Sequence, residues 1–217
     1  MASKSNTSPS ARRRAAAPQD RGQIRRQKLR EAAFACLEDT PLDALTLVTV
    51  AARAGIPKAS AYHFYASIHD LYAEMVAQFG ERLGEAMILP PDSAFADWRA
   101  LVEQVLLGGV DLLNESTVGR KLVLSPEVPP RIKLGDRRND LLLGVILREQ
   151  VARHFRLPER PDLDLRFYYA IEIVDFLCGL SVAEHGFVTP EMRTESVRAG
   201  CAYLGLHLPA DMPPAAL

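Results

Sequence analysis

The stretch Thr46 to Tyr65, TLVTVAARAGIPKASAYHFY, decides how the chain is read. Thr46 suits an N-cap, because its hydroxyl can accept from a free backbone N–H of a first helical turn. Val50, Ala51 and Ala54 then recur at helical spacing on one face. Gly55 follows at once. Helices commonly end on a residue of positive φ, which glycine adopts without a Cβ clash. Ile56 is apolar and suits the corner between two helices. Pro57 has no N–H to lose and suits the opening of a second helix, with Lys58 to Tyr65 along it. Two short helices joined by a glycine turn make a helix-turn-helix unit, whose second helix can enter a major groove. Lys58 offers a cation for a phosphate or a guanine edge, Ser60 a hydroxyl, and Tyr62 and His63 polar tips on flat rings. Ala59 is small enough to let the backbone approach. Spacing alone also fits an ordinary helical hairpin whose polar residues face water, since the motif is degenerate.

Three runs add specificity: Thr46-Leu-Val-Thr-Val-Ala-Ala-Arg-Ala-Gly-Ile56, Ser60-Ala-Tyr-His-Phe-Tyr65, and Ser67 to Leu71. Together they resemble the DNA-binding domain of the TetR family of bacterial transcriptional regulators, over about Arg21 to Met75. The remaining two thirds match that family only in length and helical pattern. The resemblance implies an all-α protein: a three-helix DNA-binding domain with the helix-turn-helix, then a helical ligand-binding and dimerisation bundle. It also implies DNA contacts from Arg25, Arg26, Thr46, Lys58, Ala59, Ser60, Tyr62, His63 and Ser67. Two positions depart from the family. Ile68 stands where a lysine usually follows the serine opening the fourth helix and grips a phosphate, with His69 beside it. Ala59 stands where glycine is frequent.

Charge is unevenly spread. Residues 1–30 hold nine Lys or Arg against the single acid Asp20, a balance of +8 in a chain of net charge −1, so the remainder carries −9. Such a division suggests a basic arm seeking an anionic polymer, attached to an acidic body. With 48% hydrophobic but only 7% aromatic residues, and frequent Ala and Leu, the composition favours helices over strands. The cysteines, Cys36, Cys178 and Cys201, are odd in number and far apart. They make neither a metal cluster nor a disulfide framework, and suit small core residues in a reducing cytoplasm; redox sensing by Cys178 or Cys201 is the alternative. No apolar run reaches the ~20 residues needed to cross a bilayer, and no apolar segment follows the charged start as a secretory signal would have it.

Residues 1–20, rich in Ser, Ala, Arg and Pro, are expected to be a disordered basic arm, and 21–67 the helix-turn-helix domain. Arg12, Arg13 and Arg14 suit either a minor-groove arm or a solubilising tail. Arg25 and Arg26 open the first helix with the sign that its dipole disfavours, which points to another use such as a phosphate. Residues 68–208 are expected to form the effector-binding and dimerisation domain, and 209–217 a flexible tail. Ser67 and Asp70 make a near capping box for a long fourth helix to about Met87. A fifth is expected from Ser93 to Leu113, with Gly108-Gly109 as a bend beside a cavity. Thr189-Pro190-Glu191 opens the last. The eighth, Asp162 to Glu184, is apolar around most of its circumference, so it should be covered on all sides. The expected cover is its own copy, the last two helices pairing across a two-fold axis.

Bundles keep ligands between helices. The candidate lining is Phe95, Trp98, Val102 and Leu106 on the fifth helix, Arg120 on the sixth, and Phe167, Tyr168, Ile171, Glu172 and Asp175 on the eighth. Trp98 also reads as plain core. Glu172 and Asp175 suit either a polar strip or a cavity for a cationic or hydrogen-bonding apolar molecule. No HExxH pair, phosphate loop or nucleophile elbow occurs, so no catalytic residue, cofactor or metal is assigned. The leading expectation is a cytoplasmic homodimeric repressor, released from a double-stranded operator by a small-molecule effector. The alternatives are a regulator without an effector and a small helical enzyme or carrier.

Overall fold

In the computed structural model, residues 18–215 are described, and among them nine helices and no strand occur. The arginines at 12–14 lie outside the described residues. Three helices form the head: α1 (Pro18–Leu37), α2 (Leu47–Arg53) and α3 (Lys58–Phe64). Six form the body: α4 (Ile68–Ala86), α5 (Trp98–Glu115), α6 (Thr117–Val123), α7 (Pro130–His154), α8 (Leu163–His185) and α9 (Pro190–Gly205). No helix among the described residues is long and apolar enough to cross a membrane.

Local chemistry sets the head. Thr46 caps α2, its hydroxyl accepting from the Thr49 amide at 3.1 Å. Gly55 turns the chain at φ 63°, in the left-handed region where a Cβ is disfavoured. Ile56 is buried in the corner, and Pro57 precedes α3. Leu29, Ala33 and Leu37 of α1 pack with Val50, Ala61 and Tyr65 as the head's core. Ser67 and Asp70 close a full capping box at the start of α4.

In the body, α7 packs on both α4 and α8. The contact with α8 is close at Gly144, where an added Cβ would lie 2.8 Å from the Tyr168 backbone. The fifth helix differs from expectation. It begins at Trp98, capped by Asp97, whose carboxylate accepts from the Ala100 amide at 2.9 Å. Ser93 sits instead in a turn, its carbonyl 3.1 Å from His154 Nε2. Gly108 and Gly109 cause no interruption; Gly108 lets α5 lie against the Ala86 carbonyl, where a side chain would collide.

The tail after Leu208, expected to be flexible, is pinned as far as Ala215. The Trp98 indole donates to the Pro209 carbonyl at 2.8 Å, Arg99 to Ala210, and the Arg156 and Ala215 amides bond Pro213 and His154 carbonyls. Met212 is buried beneath this clasp. Backbone donors and an indole thus find partners that an unattached tail would leave to water.

Candidate nucleic-acid interface and body cavity

The outer face of α3 presents Lys58, Ala59, Tyr62 and His63 to solvent, with Ser60 half-buried. Lys58 Nζ stands 5.9 Å from the Tyr62 ring centre, and His63 meets Phe64 edge-on. These are the sequence's candidate groove readers, and they share one exposed surface. Thr46 and Ser67 flank it, each with its hydroxyl engaged in capping.

Arg25 and Arg26 part ways, because adjacent helical residues diverge by about 100°. Arg25 lines a cleft of about 330 Å³ between α1 and the helix-turn-helix, together with Arg21, Lys28 and Ser60. Arg26 turns to the body. Its Nε donates to Glu74 of α4 at 2.9 Å, and its guanidinium lies 5.3 Å from the Tyr65 ring. Arg30 also pairs with Glu74, and the Tyr65 hydroxyl donates to the same carboxylate at 2.9 Å. Burial works to raise the Glu74 pKa, yet Tyr65, Arg30 and Arg26 together hold it below the ordinary value. Arg26 is therefore a tie between head and body rather than a free phosphate ligand. Arg21 and Lys28, which line the cleft, were not singled out; their signal was the basic run itself.

A second tie comes from α6. Lys121 Nζ donates to the carbonyls of Leu37, Glu38 and Thr40 at 2.6, 3.2 and 3.3 Å. A cation thereby meets the carbonyl end of α1, where the helix dipole favours it.

The body forms a small, half-open cavity of about 50 Å³ among α4, α5, α6, α7 and α8. Of the expected lining, Leu106, Ile171 and Asp175 reach it. The others do not. Val102 and Phe167 are buried in packing elsewhere, and Trp98 is occupied with the tail. Phe95 lies in the loop before α5, edge-on to His154 at 5.5 Å. Arg120 is a staple, its guanidinium donating to the carbonyls of Leu113, Asn114 and Gly186. Tyr168 donates to Glu172 at 2.6 Å, and Arg137 stands 3.8 Å from that carboxylate, making a half-exposed strip outside the cavity.

What sequence reasoning missed is the acidic wall from α7. Asp136 and Asp140 are both buried and line the cavity with Asp175. Lys133 Nζ bridges Asp136 and Asp175 at 2.9 Å each and reaches the Val123 carbonyl at 2.8 Å. Burial opposes the Lys133 charge, but the two carboxylates outweigh it and raise its pKa. Asp140 has no such cation. Its Oδ2 is buried with no hydrogen-bond partner. Burial, then the charges of Asp136, Asp175 and Glu172, push its pKa up to about 9, so it holds a proton at neutral pH. The signal was present: 136, 140, 143 and 147 recur at helical spacing, which puts two acids in the stripe of Leu143 and Leu147. Cys178 and Cys201 are ordinary packing residues, and burial pushes both thiols up to about 11, away from the reactive thiolate.

Residues 29–75 match the model of a family described as bacterial regulatory proteins, tetR family. A search of curated proteins found no match to the sequence. Among solved structures, the fold is similar to that of a TetR-family transcriptional regulator from Streptomyces coelicolor, at 22% identity and a TM-score of 0.65, over 84% of this chain and 98% of that one. It is also similar to a TetR transcriptional regulator from Rhodococcus sp. RHA1, at 16% identity and a TM-score of 0.62, over 86% and 98% of the two chains. With residues 29–75 matched in sequence and 84–86% of the chain matched in fold, the amino-terminal part of the protein is similar to that of the tetR family of bacterial regulatory proteins, and the chain shares the all-α fold of TetR-family transcriptional regulators.

Proposed function

We propose that the protein is a homodimeric repressor, released from a pseudo-palindromic operator when a small molecule enters the body. The observation that carries this reading is the course of α4. Near its start, Glu74 grips Arg26, Arg30 and Tyr65; near its end, Leu83 lines the body cavity. One helix thus touches both the head and the ligand space. A ligand that fits better with α4 displaced shifts the population away from the operator-bound form.

Dimerisation is supported by an uncovered apolar stripe. Leu165, Tyr169, Phe176 and Leu180 are exposed along α8, beside exposed Leu134 and Leu141 of α7. The outer side of α9 is more polar, with Glu191, Glu195 and Arg198 exposed. The apolar centre of the interface is therefore read as α8, with α9 as its rim. Contact with DNA is assigned to Arg25, Lys58, Ala59, Ser60, Tyr62 and His63.

The test is a gel shift on the DNA flanking the protein's own gene. Lys58→Ala and Tyr62→Ala should each weaken specific binding by ~1–3 kcal/mol where they read a base edge, and Lys58→Ala should lower the salt slope where it meets a phosphate. Unchanged affinity in both variants would refute the assigned face.

A further inference from the structure

Resting on the effector reading above, we infer that the body cavity takes a lipophilic monocation: an organic ammonium whose charge meets Asp140 and whose hydrocarbon part meets the walls from α4, α5 and α6. Asp140 is only 5% exposed, lines the cavity and leaves Oδ2 without a partner. A buried polar atom without a partner is costly, and native proteins rarely keep one without a use. The neighbouring acids already have a partner, since Lys133 bridges Asp136 and Asp175 at 2.9 Å each and leaves the trio one negative charge in excess. One carboxyl oxygen is therefore open, in a cluster whose acids outnumber its single cation, so an ammonium that displaces the Asp140 proton finds a partner there.

The rest of the cavity defines the remainder of the ligand. Leu83 and Met87, Leu106, Val110 and Leu113, and Val123 are apolar. No titratable side chain lines the cavity from α4, α5 or α6. The charged and titratable groups acting on Asp140 come from α7 (Lys133, Asp136) and α8 (Asp175, Glu172), with Tyr168 close enough to feel it. Asp136, Asp140 and Asp175 can bring carboxylate oxygens within 4.8 Å of one another, which would suit a metal ion. A hard divalent ion, however, needs six or more oxygens. Here it would meet the Lys133 ammonium on one side and hydrocarbon on the other.

The exchange balances. The neutral Asp140 carboxyl releases its proton to solvent as the ammonium arrives, so one positive charge enters and one leaves. The buried cluster keeps its net charge, and binding avoids the penalty of adding an unpaired ion to the interior. At about 50 Å³ the space is well below the ~150 Å³ of a cavity that takes benzene. It admits a head group and a short stem. A longer ligand must part α4 or α5 from α7, which is the movement the repressor reading requires.

The experiment uses the full chain with n-alkylammonium chlorides from propyl to octyl, the matching 1-alkanols, and the matching alkanoates. Thermal unfolding and titration calorimetry read binding. The ammonium series should raise Tm, the alcohols should bind at least tenfold more weakly, and the alkanoates should not bind. Calorimetry at pH 7 in two buffers of different ionisation enthalpy should show about one proton released per ligand. Affinity should rise close to tenfold per pH unit from pH 6 to 8. Asp140→Asn, with its fold checked by circular dichroism, should lose the distinction between ammonium and alcohol. Equal binding of both series by the unmodified protein, or binding without proton release, would overturn the assignment. So would stabilisation by Mg²⁺, Ca²⁺ or Zn²⁺ with none by any ammonium. The two readings separate cleanly. Ammonium binding with proton release but no loss of operator affinity retains the site and ends effector release. Operator release by a neutral or anionic ligand alone does the reverse.

Discussion

Glu74 is the most informative residue to remove, because one carboxylate joins α4 to three side chains of the head region. Glu74→Ala deprives the buried Tyr65 hydroxyl of its acceptor at 2.9 Å, a loss of about 1–2 kcal/mol. The Arg30 pair is about three-quarters buried on both sides and contributes roughly 1 kcal/mol, while the half-exposed Arg26 pair adds about 0–1 kcal/mol after screening. The expected destabilisation is therefore about 2–4 kcal/mol, read from urea unfolding at pH 7. Glu74→Gln keeps an acceptor for Tyr65 and should lose about half as much. The pH dependence follows from the depressed Glu74 pKa. Its contribution is present above the ordinary value of 4.5 and is lost as pH falls through the lower folded value, so Glu74→Gln should differ least from the parent in acid. A double variant with Arg30→Ala should fall short of additivity by at least about 0.5 kcal/mol. A loss below about 1 kcal/mol, or full additivity, would refute the claim that this network couples head to body.

Three further outcomes are expected. Gly144→Ala would set a Cβ 2.8 Å from the Tyr168 backbone, which has no flexible end to yield, so α7 and α8 should separate at about 1–3 kcal/mol in equilibrium unfolding; no loss would mean that the crossing is looser than described. Phe176, 63% exposed on α8, should become Arg only at the expense of dimerisation: sedimentation velocity of Phe176→Arg should show a monomer where the parent is a dimer, and an unchanged dimer would move the interface elsewhere. Asp140 carries a folded pKa of about 9 against 3.8 unfolded, so its contribution is full below about 3.8 and is lost as pH rises towards about 9, at up to ~1.4 kcal/mol per pH unit. Asp140→Asn should flatten that fall and raise Tm at pH 8; a lower Tm at pH 8 would show that the carboxyl is held by a partner.

The head was readable residue by residue because its determinants are local. Thr46, Gly55, Pro57 and the Ser67–Asp70 box each act within three or four positions, and the structure uses each as its chemistry suggests. The start of α5 failed for a related reason. Ser93 and Asp97 are both competent caps, and the choice falls to Asp97 because the Ser93 carbonyl and the Trp98 indole are claimed by partners distant in sequence. The same distance hid the acidic wall. Asp136 and Asp140 look like solvent-facing breaks in a mixed helix until α5 and α8 close over them. Arg120 resembled a ligand-binding cation, whereas three carbonyls from two separate turns hold it. A cavity is a property of several helices at once, and no single one announces it.

From Ile68, four residues after α3 ends, to Leu83 at the cavity, α4 spans about 22 Å at ~1.5 Å per residue. Pivoting it by about 10° at the cavity end would carry its first turn sideways by roughly 4 Å, close to the ~3.4 Å step between stacked bases. In a two-fold assembly each copy would swing by the same rotation related by the two-fold axis, so two modest displacements would add to a spacing error of about two base pairs between half-sites. Mechanical advantage of this kind would let a pocket barely large enough for a few atoms govern a duplex many times its size.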